Sequence, residues 1–181
     1  MSHDPDLRSI AFSSRRLMLR AATLADAADI HAPVTPPLTR FMGWDPAPSL
    51  EAFTEVLREW LPKMAVGTDL MLVIRLLSTD EFLGMAGLHG IGSRGPEPGI
   101  WIKEAAHGRG YGREAIAALL RWAGPHLGAT RFVYPVVEEN GPSRRLAESL
   151  GGAIIAKRKL RKSSGVILHE VVYRIERPVR R

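Results

Sequence analysis

A single α/β domain, layered around a mixed sheet, is the fold this sequence predicts. Three observations carry that reading. Seven short apolar stretches, rich in Val, Ile, Leu and aromatics and bounded by turn residues, have the length and pattern of strands. Four segments with apolar residues at helical spacing lie among them, giving the order β-α-α-β-β-β-α-β-α-β-β. The chain's 181 residues suit one domain large enough to bury a core without staples.

The first strand is RLMLRAA (16–22). TLADAADI (23–30) follows as a short helix, with Thr23 as cap and Asp26 three residues on. Residues 31–48, rich in proline and aromatics, read as a loop. In SLEAFTEVLREWL, Leu50, Phe53, Val56, Leu57 and Trp60 repeat at helical spacing behind Ser49 as cap. DLMLVIRLL (69–77) and EFLGMAGLHGI (81–91), separated by STD, form an antiparallel hairpin in the middle of the sheet. EPGIWIK (97–103) is the fourth strand. REAIAALLRWA (113–123) buries Ile116, Leu119, Leu120 and Ala123 on one face, and Gly124-Pro125 is read as its stop. RFVYPVV (131–137) is a strand, NGPSRRLAESLGG (140–152) holds a short helix stopped by two glycines, and AIIAKRKL and VILHEVVYRI close the chain around KSSG. The domain is expected over 13–176, with an N-terminal extension over 1–12 and a basic tail over 177–181.

Composition removes several functions. With no cysteine, disulfides, thiolate metal sites and cysteine nucleophiles are excluded; no metal site is expected. MSHDPDLRSI lacks the apolar core of a signal peptide, and no window reaches the ~18 apolar residues of a membrane span. A soluble, cytoplasmic protein is expected. The net charge of +6 suggests an anionic partner. KRKLRK (157–162) reads either as a nucleic-acid patch or as a solvated strand face; the absence of interleaved aromatics favours the second.

The stretch HGRGYGREA (107–115) carries the chemistry. Glycines let backbone amides approach a ligand that a β-carbon would block. A helix N-terminus offers unpaired N–H groups and the positive end of the dipole, which suits phosphate. Arg109 and Arg113 add charge. Two familiar cradles fail here. A P-loop needs GxxxxGK[ST], and a dinucleotide fingerprint needs GxGxxG, where this chain has Arg113 or Ala115 at the third glycine.

EPGIWIKEAAHGRGYGREAIAALLRWA followed by NGPSRRLAESLGG resembles the GNAT N-acetyltransferase superfamily, and within it the ribosomal-protein N-terminal acetyltransferase branch of RimJ/RimL type. The superfamily pattern Gln/Arg-x-x-Gly-x-Gly/Ala falls on His107, Gly110 and Gly112. The branch's Glu-x-Gly-aromatic-Trp strand falls on Glu97, Gly99, Ile100 and Trp101, and its Asn-x-x-Ser on Asn140 and Ser143, with Leu150-Gly151 beyond. FMGWDPAPSLEAF resembles the branch's Trp-x-Pro segment. The likeness spans roughly residues 14–176. His107 stands for the usual Gln or Arg, Ile100 for an aromatic and Gly152 for a phenylalanine. The position of many members' acid tyrosine holds Ala147.

The resemblance implies a GNAT fold: a mostly antiparallel seven-stranded sheet flanked by about four helices. It implies acetyl-CoA as co-substrate and direct attack by a primary amine, either a protein N-terminus or a small amine. His107, Gly108, Arg109, Gly110, Tyr111, Gly112 and Arg113 would then hold the pyrophosphate. The backbone of Ile100, Trp101, Ile102 and Lys103 would hold the pantetheine arm and thioester oxygen, with Asn140 on the pantetheine amides. Glu97 is the expected base, with His89 as rival, and His169 is read more simply as a packed histidine. Ser143 is either the proton donor to the thiolate or a helix cap, and Arg144 or Arg145 would meet phosphate. Phe41, Trp44 and His89 are expected at the acceptor. A homodimer is implied. The alternatives are succinyl-CoA or another acyl donor, or a non-catalytic domain that binds coenzyme A or nucleic acid.

Overall fold

A computed structural model describes residues 6–177. The chain runs β1 (Ala11–Ser13), β2 (Leu17–Ala21), α1 (Ala27–His31), α2 (Pro36–Thr39), α3 (Leu50–Ala65), β3 (Leu70–Leu76), β4 (Phe82–His89), β5 (Glu97–Ile102), α4 (Tyr111–Leu127), β6 (Arg131–Val137), α5 (Gly141–Ser149), β7 (Ala153–Arg161) and β8 (Ile167–Glu176). Two sheets form, ordered β1-β2-β3-β4-β5 and β6-β8-β7, and every registered pair is antiparallel.

The five-stranded sheet is covered on both faces, which is why β3 and β4 read as near-continuous apolar runs. On one face Leu19, Leu72, Ile74 and Leu88 pack with Ile116, Leu119 and Leu120 of α4. On the other, Val73, Phe82 and Met85 pack with Ile30 of α1 and Phe53 and Leu57 of α3. A polar knot sits beside this second layer. Asp26 is 2% exposed and accepts from Arg20 Nη1 at 2.8 Å and Nη2 at 2.5 Å, and from Thr23 N and Oγ1, each at 2.9 Å. Burial raises its pKa, but Arg20 and Thr23 outweigh that and hold it at about 2.

Several expectations need correction. Among the described residues eight strands are present, split between two sheets, where a seven-stranded sheet was expected; the added one, β1, is too short to show alternation. It begins at Ala11, inside the expected extension, and Leu7 is buried. The helices agree with the about four expected: among the described residues there are five, the extra one because PPLT (36–39) forms a turn capped by Thr35 with Pro36 at its first position. Gly124-Pro125 does not stop α4. The helix runs on to Leu127 and ends at Gly128, whose φ of 66° closes it in the left-handed region. His126 stacks on Trp122 and bonds its carbonyl, holding that last turn past the proline. Of the expected basic tail, Arg177 packs over Gly124 and residues 178–181 lie outside the described residues.

Candidate active site

The site begins where the two sheets fail to join. β5 and β6 start side by side: Arg131 Nε donates to Arg94 O at 3.0 Å, and Val133 N to Pro96 O at 3.1 Å. Both strands therefore run the same way from that point. A parallel ladder continued from Val133 would next need the N–H of residue 98, then that of residue 135. Both are proline, and neither has an N–H to give. The ladder stops, and the strands part into a wedge.

The backbone in that wedge follows from register. Lys103 N donates to Leu83 O at 2.8 Å, so by alternation Gly99 and Trp101 also turn their N–H groups toward β4. Ile100 and Ile102 turn theirs toward β6. Of the four residues expected to contribute backbone, two face the wedge and Lys103 does not. The Lys103 side chain instead pairs with Glu81 at 2.7 Å.

A cavity of about 830 Å³ opens from the wedge between the N-termini of α4 and α5. Gly108 and Gly110 line it with φ of 74° and 76°, so amides rather than side chains form this wall. Three guanidinium groups, Arg40, Arg113 and Arg145, line it against one carboxylate, Glu104. Arg113 is held by Ser149 Oγ at 3.0 Å. Arg145 faces the cavity, whereas Arg144 is turned away to Tyr173 Oη at 3.1 Å. Positive charge, bare amides and a helix N-terminus together fit an anionic diphosphate.

The cradle is braced from the first hairpin. Glu114, on the first turn of α4, accepts from Ser14 Oγ, Arg16 N and Arg16 Nε at 2.7–2.8 Å. Burial raises the Glu114 pKa, and these donors together lower it below the usual range. Arg16 also donates to Arg109 O at 3.1 Å and lies 4.6 Å over the Tyr111 ring. Neither Arg16 nor Glu114 was singled out in the sequence; a strand-end arginine carries no signal of a partner some 98 residues away. His107 lines the cavity with its Nε2 donating to Ile102 O at 2.6 Å. Arg109 lies outside the lining.

A second cavity, about 390 Å³, meets the first across Phe41, Met42, Ile100, Trp101, Asn140 and Ser143. Trp44, Trp60, Met71, Met85 and His89 line its apolar remainder, with Glu170 as its one carboxylate and no lysine or arginine. The lip carrying Phe41 and Trp44 is pinned by the β7–β8 turn. Buried Lys162 donates to Thr39 O at 3.2 Å and pairs with Asp45 at 2.8 Å, and Ser163 Oγ donates to Asp45 Oδ2 at 3.0 Å. The Lys162 ammonium, above all, holds the Asp45 carboxyl down at about 2.

At the junction, Asn140 Oδ1 accepts from Ser143 N at 3.2 Å, so Asn140 is the cap of α5 and Ser143 is not. The Ser143 hydroxyl is thereby left for Tyr134 Oη, 3.2 Å away. Tyr134 is fully buried, and burial pushes its pKa up, so it stays protonated. It sits in an apolar strand where sequence gives only a core residue. Glu97 lies outside both linings: its two oxygens accept from Arg158 Nη1 and Nη2, each at 3.0 Å, and Arg158 also donates to Glu170 at 2.6 Å. His169 lies beyond both cavities.

An anion-fitting cradle and a second, cation-free pocket thus meet at a split sheet, with room for two substrates side by side. The acetyltransferase (GNAT) domain family matches residues 16–153, and the chain belongs to that family. No curated protein matches it in sequence. Among solved structures it is similar to RimL, a ribosomal L7/L12 alpha-N-protein acetyltransferase in complex with coenzyme A. That pair has 20% identity and a TM-score of 0.82, covering 92% of this chain and 98% of that one. Mycobacterium smegmatis RimJ has 20% identity and a TM-score of 0.81, covering 95% and 89%. The ribosomal-protein-S5-alanine acetyltransferase of Vibrio fischeri has 15% identity and a TM-score of 0.76, covering 93% and 97%.

Proposed function

We propose that the protein transfers an acetyl group from acetyl-CoA to a primary amine, with both substrates bound together. The observation that carries this is the meeting at one wedge of two cavities, one lined by Arg40, Arg113 and Arg145 and the other by no lysine or arginine. Acetyl-CoA supplies the reactive thioester. The amides of residues 108–113 and the side chains of Arg113 and Arg145 bind its diphosphate, and Asn140 Nδ2 is free for the pantetheine arm. Ile100 and Ile102 N–H groups face the carbonyl oxygen, where negative charge develops during transfer. The Ser143 hydroxyl, oriented by Tyr134, hydrogen-bonds the departing sulfur. A free thiol titrates near 8.5 and a tyrosine near 10, so this pair stabilises a thiolate by hydrogen bonding rather than by giving up its own proton.

The amine enters the second cavity, bounded by Phe41, Trp44 and His89. No cation lines that cavity to hold an extra carboxylate, which favours acetyl over succinyl as the acyl group. RimL and RimJ-type neighbours make a protein N-terminus the acceptor to test first. The reading against nucleic acid is supported by the basic run itself: Lys157, Arg158 and Lys162 are each engaged by carboxylates of this chain. A cytoplasmic homodimer completes the proposal. β7 is an edge strand with Ile154 54% and Ile155 49% exposed, and among the described residues no helix is long and apolar enough to cross a membrane.

The test is mass spectrometry of a mixture of free-N-terminus peptides and small amines incubated with acetyl-CoA or succinyl-CoA. Acetylated product that falls about 10–100-fold in Ser143→Ala and Tyr134→Phe, with acetyl-CoA affinity retained, is expected. Absence of product with every amine would overturn the proposal.

A further inference from the structure

The acceptor side of β4 and β5 has a floor without side chains. Gly87 and Gly99 are cross-strand partners, flanked by the pair His89/Glu97 on one side and Met85/Trp101 on the other. Successive same-face rows lie about 7 Å apart, so two facing glycines leave a trough between them. A β-carbon on Gly99 would meet nothing within 4 Å. One on Gly87 would come 3.1 Å from His89 Nε2, which places that nitrogen over the trough. Trp101, at the far end, belongs to both cavities.

The imidazole is held from behind. His89 Nδ1 lies 2.8 Å from Asp69 Oδ1, and a carboxylate only accepts, so Nδ1 carries a hydrogen and, in the neutral imidazole, Nε2 is the nitrogen with the lone pair. Asp69 stands on the segment entering β3, whose backbone is tied by Ile91 N to Thr68 O at 2.9 Å. The charged groups facing His89 are Asp69 from that segment and Glu97 from β5. Behind Glu97 stand Arg158 of β7 and Glu170 of β8. Both oxygens of Glu97 are taken by Arg158, which leaves Nε2 as the open acceptor in this row.

We propose that His89 takes the proton of the acceptor ammonium, that Asp69 positions its imidazole, and that the Gly87–Gly99 floor seats the acceptor chain. The inference rests on the acetyl-transfer reading above. One proton passes from the ammonium to Nε2 and on to solvent. As the N–C bond forms and the C–S bond breaks, a second proton leaves the nitrogen and the sulfur ends as a thiol. The floor makes Gly99 a size filter, since its backbone is in an ordinary conformation and a side chain there fills the trough without distorting the strand.

The experiment measures kcat and KM against pH, for the best amine of the mixture above, in wild type, His89→Gln, Asp69→Asn and Gly99→Val. Acetyl-CoA affinity by calorimetry and thermal melting accompany each variant. His89→Gln is expected to lower kcat about 100-fold at pH 7, with the deficit shrinking toward pH 10 as the amine deprotonates in solution. Asp69→Asn is expected to lose about 10-fold and move the acidic limb of kcat/KM, an effect that a merely structural role would not produce. Gly99→Val raises KM for the amine and leaves acetyl-CoA affinity within about twofold. A His89→Gln protein with wild-type kcat and pH profile overturns this assignment alone. Wild type that binds no acetyl-CoA overturns the underlying reading, and this one with it.

Discussion

If prolines 98 and 135 hold the wedge open, returning N–H groups to both positions should begin to close it. The variant is Pro98→Val with Pro135→Val, close to volume-conserving at both sites. Each substitution restores one donor to the interrupted ladder, and a net backbone bond is worth about 1 kcal/mol. Two such bonds favour the closed edge by about 2 kcal/mol. Removing two prolines also frees the unfolded chain, which costs about 0.4–1 kcal/mol each. The effects on global stability therefore nearly cancel, and the melting temperature should stay within a few degrees. Binding has no such offset. Acetyl-CoA must part the strands again, and about 2 kcal/mol is about 30-fold in affinity. Calorimetry with acetyl-CoA reads the loss, and amide exchange at Ile100 and at Val137 reads the new protection. Unchanged affinity together with unchanged exchange would refute the claim that the prolines keep the strands apart.

Two further outcomes follow from side chains already placed. Asp26→Asn should destabilise the fold by about 2 kcal/mol at neutral pH, from a carboxyl held at about 2 instead of 3.8. Because the folded value is the lower one, that contribution is complete above pH 4–5 and disappears as pH falls through about 2. Urea unfolding at pH 7 and pH 2.5 should show the gap between variant and wild type shrinking; a constant gap would contradict it. Lys162→Met, which unpins the lip from the β7–β8 turn, should raise KM for the amine several-fold and leave acetyl-CoA affinity unchanged, as read by steady-state kinetics and calorimetry.

What the sequence made legible was governed by local periodicity and short motifs. Strands 131–137 and 153–160 and helix 49–61 follow from patterns contained within each segment, and structure returns them with ends moved by a few residues. The glycine turn that lines the first cavity was legible because Gly108, Gly110 and Arg113 lie close together in the chain. Long-range pairings were not. Arg16 with Glu114, Lys162 with Asp45, Asp69 with His89 and Tyr134 with Ser143 join residues whose partners only the fold selects. Glu97 shows the same limit: its place at a strand start suggested an open base, and an arginine 61 residues on occupies both its oxygens. Pro98 and Pro135 were visible, but their effect depends on both facing one edge, which only register reveals.

The proposed binding mode places acetyl-CoA in the wedge, held by the amides of residues 108–113 and by Ile100 and Ile102. Hydrogen exchange of the intact protein with and without saturating acetyl-CoA reads this binding mode. Slowed exchange confined to residues 99–103, 107–114 and 140–146 is the predicted result. Exchange unchanged in those three segments, or slowed instead along 157–162, would contradict it.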